Sequence, residues 1–145
     1  MRKIRFIIDS DLENVAMVGM SINRLCSLIP LSEINAYQIE LCAVEAINNS
    51  IIHSYEAALL HKVEITFGFD NDNIVIKVYD TGKSLDKDIM DKADISLFEN
   101  GEDINKISED GRGLALIKEV MDKVDYCTTD GKNCLTMIKL LPITS

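Results

Sequence analysis

The 145-residue chain has no tryptophan, only two prolines and seven glycines, and four cysteines. So few helix- and strand-breaking residues leave most of the chain free to run in regular elements, and each glycine-containing turn stands out. No apolar run approaches the roughly 20 residues of a membrane span, and the opening MRKIRFIIDSD turns acidic too soon for a signal peptide. A cytoplasmic protein with no membrane contact is expected. Cys26, Cys42, Cys127 and Cys134 are widely spaced without a C-x-x-C element. That spacing argues against zinc, and a reducing compartment argues against disulfides, so reduced core cysteines are expected. Positive charge is scarce as well: 15 Lys and Arg stand against 24 Asp and Glu, a net charge of −9. Direct nucleic-acid binding depends on cations that neutralise phosphates, so this balance speaks against it. An acidic surface suits solubility or a basic protein partner.

What the chain does contain is a 47% apolar composition ordered as mixed α/β. Its length suits one domain spanning residues 1–145. Lys3 to Ile8 reads as a strand, Asp9-Ser10-Asp11 as a helix start before Leu12 to Leu28, and Ser32-Glu33 as the start of a second helix persisting to about Tyr55. Val63 to Phe69 and Ile74 to Tyr79, separated by Asp70-Asn71-Asp72-Asn73, form an expected hairpin. A further helix is expected from about Gly113, with Leu114, Ile117, Met121 and Val124 on one face. Tyr126 to Thr129 and Asn133 to Leu141 close the chain around Asp130-Gly131. Between Asp80 and Gly113, residues 83–110 lose periodicity, so a short helix and then a long mobile segment are expected, and glycine at both hinges is the mark of a functional loop.

Three short motifs carry chemistry. In VEAINNSIIHSY, Glu45 and Asn49 lie one turn apart on the flank of a helix whose apolar stripe is Leu41, Val44, Ile47, Ile51 and Tyr55. A carboxylate that accepts a proton beside an amide oxygen that ligates a hard cation suits metal-assisted phosphoryl transfer. Two solvated residues on a surface helix are the plainer alternative. His53, one turn further, reads as a structural hydrogen-bonder. Asp80 ends a strand, where its carboxylate can accept from an exocyclic amine, and Gly82 leaves room for a flat ring. Gly111-Arg112-Gly113-Leu114 places bare N–H groups at a helix start, where polyphosphate binds.

Together and in this order, VEAINNSIIHSY, DTGKSLD, DGRGLALIKEVMD and NCLTMIKLL resemble the N, G1 and G2 boxes and the closing threonine strand of the GHKL (histidine-kinase-like) ATPase superfamily. The similarity is greatest to its anti-sigma-factor serine/threonine kinases, and it runs from the first strand to Leu141. The resemblance implies an α/β fold, a two-layer sandwich of a mixed β-sheet with helices on one face (the Bergerat-type ATP-binding fold), with an ATP lid at about 83–110. It implies ATP and Mg²⁺ as cofactors, with Asn49 ligating the metal and Glu45 acting as general base on a partner's serine or threonine hydroxyl. It further implies Asp80 on the adenine amine with Thr136 supporting that network, Gly82 near the base, and Gly111, Arg112, Gly113 and Leu114 at the phosphates. The implied partners are a sigma factor, a small anti-anti-sigma acceptor protein and a second copy in a homodimer, with strand one and the first helix as candidate interface; periodicity leaves Leu12, Val15, Met17 and Met20 open as core or subunit contact. Histidine-kinase ATPase domains share the boxes but accompany a phosphoacceptor helical domain.

Three departures from the pattern matter. Ser84 replaces the second glycine of D-x-G-x-G. Glu109 stands where some members place an arginine for the γ-phosphate; either Lys106 or Arg112 substitutes, or transfer is slow. Asn48 falls in the apolar sector of its helix and, if buried, needs partners. A catalytically weak ATP-binding module that holds its partner by nucleotide-dependent contact is the alternative function.

Overall fold

The computed structural model describes residues 1–56, 58–84 and 109–142, with only the backbone of residues 109–112. Five strands, β1 (Arg2–Asp9), β2 (Lys62–Phe69), β3 (Asn73–Asp80), β4 (Lys123–Thr129) and β5 (Lys132–Leu140), form one sheet in the order β1-β2-β3-β5-β4. Every pairing among these strands is antiparallel. The sheet of the expected sandwich is therefore antiparallel rather than mixed across the described strands, because each neighbour is reached by a hairpin or by a connection that reverses direction.

The helices are α1 (Val15–Leu25), α2 (Glu33–Asn49) and α3 (Glu109–Val120). Short 3₁₀ turns at Leu12–Asn14 and Cys26–Leu28 extend α1 to the span that periodicity predicts. Asp11 accepts from the Glu13 N–H and Ser32 from the Asn35 N–H, capping these starts. One sheet face packs on the helices: Val63, Ile65 and Phe67 from β2, Ile74, Ile76 and Val78 from β3, and Leu135 and Met137 from β5 meet Ile39, Cys42, Ala46, Ile47 and Ile117.

Helix α2 is turned slightly from the expected stripe. Its buried set is Ile39, Cys42, Ala43, Ala46 and Ile47, while Leu41 and Val44 are only half-buried. The small residues let the helix approach closely, and they weigh little in an apolar pattern. Against the other side of α2 lies Gly19 of α1, where a Cβ would stand 2.7 Å from Val44 Cγ2. On α1, Val15 is core, but Leu12, Met17 and Met20 are exposed. Asn48 is half-exposed and lines a groove with Val15, Met20 and Val44, so it does not carry the cost of full burial.

Two expectations need correction. Cys26 and Cys42 are buried, but Cys127 is exposed and Cys134 partly so, since these two alternate with the inward residues of β4 and β5. Helix α3 begins at Glu109, four residues before the expected start, and so takes Gly111 and Gly113 into its first turns. Acidic residues suit a first helical turn, and Glu109 and Asp110 outweigh the glycines there. At its other end, Lys139 donates to the Val120 carbonyl at 2.9 Å and anchors α3 to β5. The expected lid lies, apart from its hinges, outside the described residues.

Candidate functional site

Helix α2 does not stop cleanly at Asn49. The chain continues through a π-helical turn, Ser50–Ser54, which widens the backbone and re-aims the following side chains toward the end of β3. Ser50 is buried there and donates to Asp80 Oδ2 at 2.7 Å. Tyr55, next along, accepts from the Thr81 N–H at 2.8 Å and donates to the Lys62 carbonyl at 2.8 Å. Its ring stacks on His61 at 4.4 Å. The end of α2 therefore clamps the Asp80-Thr81-Gly82 turn by side chain and by backbone.

The backbone clamp explains Gly82. Its Cβ would stand 2.2 Å from the Ser54 carbonyl oxygen, and the Lys83 N–H donates to that same oxygen at 2.8 Å. Glycine is needed here for chain-on-chain approach, whatever room it also leaves beside a ligand. Gly82→Ala is expected to lower stability by about 3 kcal/mol, because neither backbone segment can yield cheaply. The urea midpoint measures it.

Asp80 is 7% exposed, yet its carboxylate is well supplied with donors. Oδ1 accepts from the Gly82 N–H at 3.1 Å and from Asn133 Nδ2 at 2.7 Å, and Oδ2 accepts from Ser50. A carboxylate offers about four lone-pair positions, so one remains on Oδ2 for a ligand donor. Asn133, 1% exposed, is saturated: Nδ2 also donates to the Gly82 carbonyl at 3.0 Å, and Oδ1 accepts from Ser84 at 3.0 Å and Thr128 at 2.7 Å. Ser84, in the place of a second glycine, thus anchors the loop onto β4 and β5.

The structure brings Glu45, Asn49, Asp80, Gly82, Gly113 and Leu114 to one region, but not Thr136. Thr136 pairs with Lys77 and lies on the opposite sheet face, with Cys134 Sγ 3.5 Å from its hydroxyl. Strand alternation makes Asn133, Leu135 and Met137 the inward set, so the polar residue that supports Asp80 from β5 is Asn133. Asn133, Ser50 and Tyr55 were not anticipated at the site; an Asn in phase with two buried apolar residues was the available signal.

Above Asp80 is a narrow slot lined by Ala46, Asn49, Val78, Leu114, Tyr126 and Leu135. Ser50, Ser54 and Asp80 complete its lining, and its volume of about 30 Å³ is nearer that of a water molecule than of a heteroaromatic ring. Leu114 lines this slot together with Asn49 and Asp80. At the mouth, a Cβ on Gly113 would stand 2.6 Å from Glu45 Oε2 and 3.7 Å from Asn49 Nδ2. Glu45 and Asn49 are therefore side by side against α3. Asn49 Nδ2 is buried and has no hydrogen-bond partner among the described residues. An unsatisfied amide costs about 1–3 kcal/mol, a cost that a bound polar group would remove. Gly111 and Arg112 lie in the first turn of α3, within the helix rather than in a loop before it.

A slot beside the buried Asp80 at a strand end, and a carboxylate and an amide set side by side against a glycine-bearing helix, mark one corner of this α/β sandwich. The chain belongs to the histidine kinase-like ATPase domain family, which residues 8–139 match. Similar curated proteins are the serine-protein kinases RsbW of Bacillus velezensis, 25% identical over 128 residues (88% of this chain, 79% of that protein), and of Listeria innocua, 26% identical over 129 residues (89% and 82%). The fold is shared with a solved structure of the RsbU and RsbW domains of a Mycobacterium tuberculosis protein, with a TM-score of 0.66 and 12% identity over 97% of this chain and 33% of that one. It is shared also with a chain of the SiaB-SiaC complex from Pseudomonas aeruginosa, with a TM-score of 0.58 and 10% identity over 95% of this chain and 89% of that one. Among the described residues, no helix is long and apolar enough to cross a membrane.

Proposed function

We propose that this chain is an ATP-dependent serine/threonine protein kinase and anti-sigma regulatory factor, working as one cytoplasmic domain. The observation that carries the reading is the pairing of Glu45 and Asn49 at Gly113, above a slot floored by Asp80. Mg-ATP, when bound, supplies the γ-phosphoryl group and the charge neutralisation that its transfer needs. The residues present fit its chemistry, and the slot beside Asp80 must widen from about 30 Å³ to admit the base. Asp80 accepts from the adenine amine, held in place by Ser50, Asn133 and the Gly82 N–H. Asn49 would give its amide oxygen to the metal and its NH₂ group, without a hydrogen-bond partner among the described residues, to a phosphate oxygen. Glu45 takes the proton of an incoming hydroxyl. The acceptor is a small anti-anti-sigma protein; a sigma factor is the partner that is sequestered.

Exposed Met17, Met20, Ile34 and Tyr37 on α1 and α2 give an apolar surface for such protein contacts, including a homodimer. The weaker alternative, a binding module without transfer, draws on Glu109, an acidic residue at the start of α3 where an arginine would meet the γ-phosphate. The test of metal-assisted binding is Asn49→Ala. Calorimetric titration with ATP is expected to lose its magnesium dependence, with affinity in magnesium at least tenfold weaker. A variant that bound Mg-ATP as tightly as the parent would remove Asn49 from the metal site.

A further inference from the structure

Nucleotide chemistry makes no use of the two thiols on the outer face of the sheet. Cys127 of β4 and Cys134 of β5 are direct register partners. The turn between their strands is Asp130-Gly131, with φ of 52° and 76°, the positive pair that a tight two-residue hairpin requires. That turn fixes the register, so the two thiols cannot drift apart by strand slippage. Both point away from the helices: Asn133 and Leu135, on either side of Cys134, are buried against them, and Cys127 is exposed. Facing residues of antiparallel strands lie about 4.5–5.5 Å apart at Cα, inside the roughly 4.4–6.8 Å that a disulfide spans.

We propose that Cys127 and Cys134 are a reversible redox pair that closes to a cross-strand disulfide when the protein meets a low-molecular-weight disulfide such as oxidised glutathione. One cysteine thiolate attacks a sulfur of the oxidant, forming a mixed disulfide and releasing one thiolate. The second cysteine, deprotonated, attacks the protein sulfur of that bond and releases the other. Two protein thiols lose two protons and two electrons, and the oxidant becomes two thiols.

Selectivity comes from burial. Cys26 and Cys42 are enclosed in the core, where desolvation pushes their thiols up to about 11 and about 12 and holds them protonated and unreactive. Reversibility comes from geometry. Cβ atoms of facing residues are about 4.5–5.5 Å apart, wider than the roughly 3.5–4.5 Å of a relaxed disulfide, so the bond is strained and readily reduced. Its location gives it a consequence. Thr128 and Asn133, the next register pair, hold the Asp80 loop, so the bond pins the strands directly behind the slot.

The experiment treats the full chain with oxidised glutathione under native conditions, counts thiols and maps tryptic peptides by mass. Cleavage at Lys123, Lys132 and Lys139 separates the two cysteines. The expected product is Val124–Lys132 joined to Asn133–Lys139, with two of the four thiols lost and both restored by dithiothreitol. Cys127→Ser and Cys134→Ser should each leave the remaining outer thiol carrying glutathione instead. Glutathione on both cysteines of the parent, dimers joined between chains, or four unreacted thiols would overturn the proposal.

Discussion

Glu45→Gln is expected to bind Mg-ATP as the parent does and to transfer its γ-phosphoryl group at least about 100-fold more slowly, the usual range for loss of a general base. Glutamine matches glutamate in shape, so it still stands against Gly113, where Glu45 Oε2 now fills the space of a missing Cβ. It cannot accept the proton of a hydroxyl. Phosphoryl transfer to a cognate acceptor protein, followed with γ-labelled ATP under single-turnover conditions, measures the effect. Binding measured on the same sample separates loss of the base from loss of the site. Transfer at the parent's rate would take the role of base away from Glu45.

Asn133→Leu is expected to lower both stability and nucleotide affinity. The side chain is buried and uses all of its hydrogen-bonding capacity, toward Asp80, Gly82, Ser84 and Thr128. Leucine fills nearly the same volume and returns none of these bonds. Ser84 and Thr128 are exposed and recover partners in water, whereas the Gly82 carbonyl and one Asp80 bond do not. The loss is about 2–4 kcal/mol of stability, at the upper end of what a broken buried network costs. The Asp80 loop then no longer holds its carboxylate in one place, so ATP binding should weaken at least tenfold at temperatures where the variant remains folded. Urea denaturation and calorimetric titration read the two effects. Thr136→Ala should leave both nearly unchanged, since Thr136 faces the other side of the sheet.

Much of this arrangement was legible in the chain. Glu45 and Asn49 are four residues apart in a periodic helix, so their common direction follows from helix geometry alone. Asp80 ends an alternating strand, and the phase of Ile74, Ile76 and Val78 turns it inward. Asn133 and Thr136 show where such reading failed. Both lie in β5, and a resemblance to a closing threonine strand drew attention to Thr136, although the phase set by Leu135 and Met137 points it outward. At Gly82 a second need, imposed by Ser54, 28 positions earlier, could not be read from the chain, because long-range backbone packing leaves no local trace. The π-helical turn that delivers Ser50 to Asp80 is equally silent, since it adds a residue to a turn without a distinctive residue type. Partner proteins are read from family similarity alone, whereas the slot beside Asp80 is seen in the side chains that surround it.

A structure of the chain with magnesium and a non-hydrolysable ATP analogue tests the central claim most directly. The account predicts the adenine amine at about 2.7–3.2 Å from an Asp80 carboxylate oxygen. It also predicts the Asn49 amide oxygen at about 2.1 Å from the metal, with Glu45 facing the terminal phosphate. A base seated away from Asp80, or a metal held without Asn49, would contradict it.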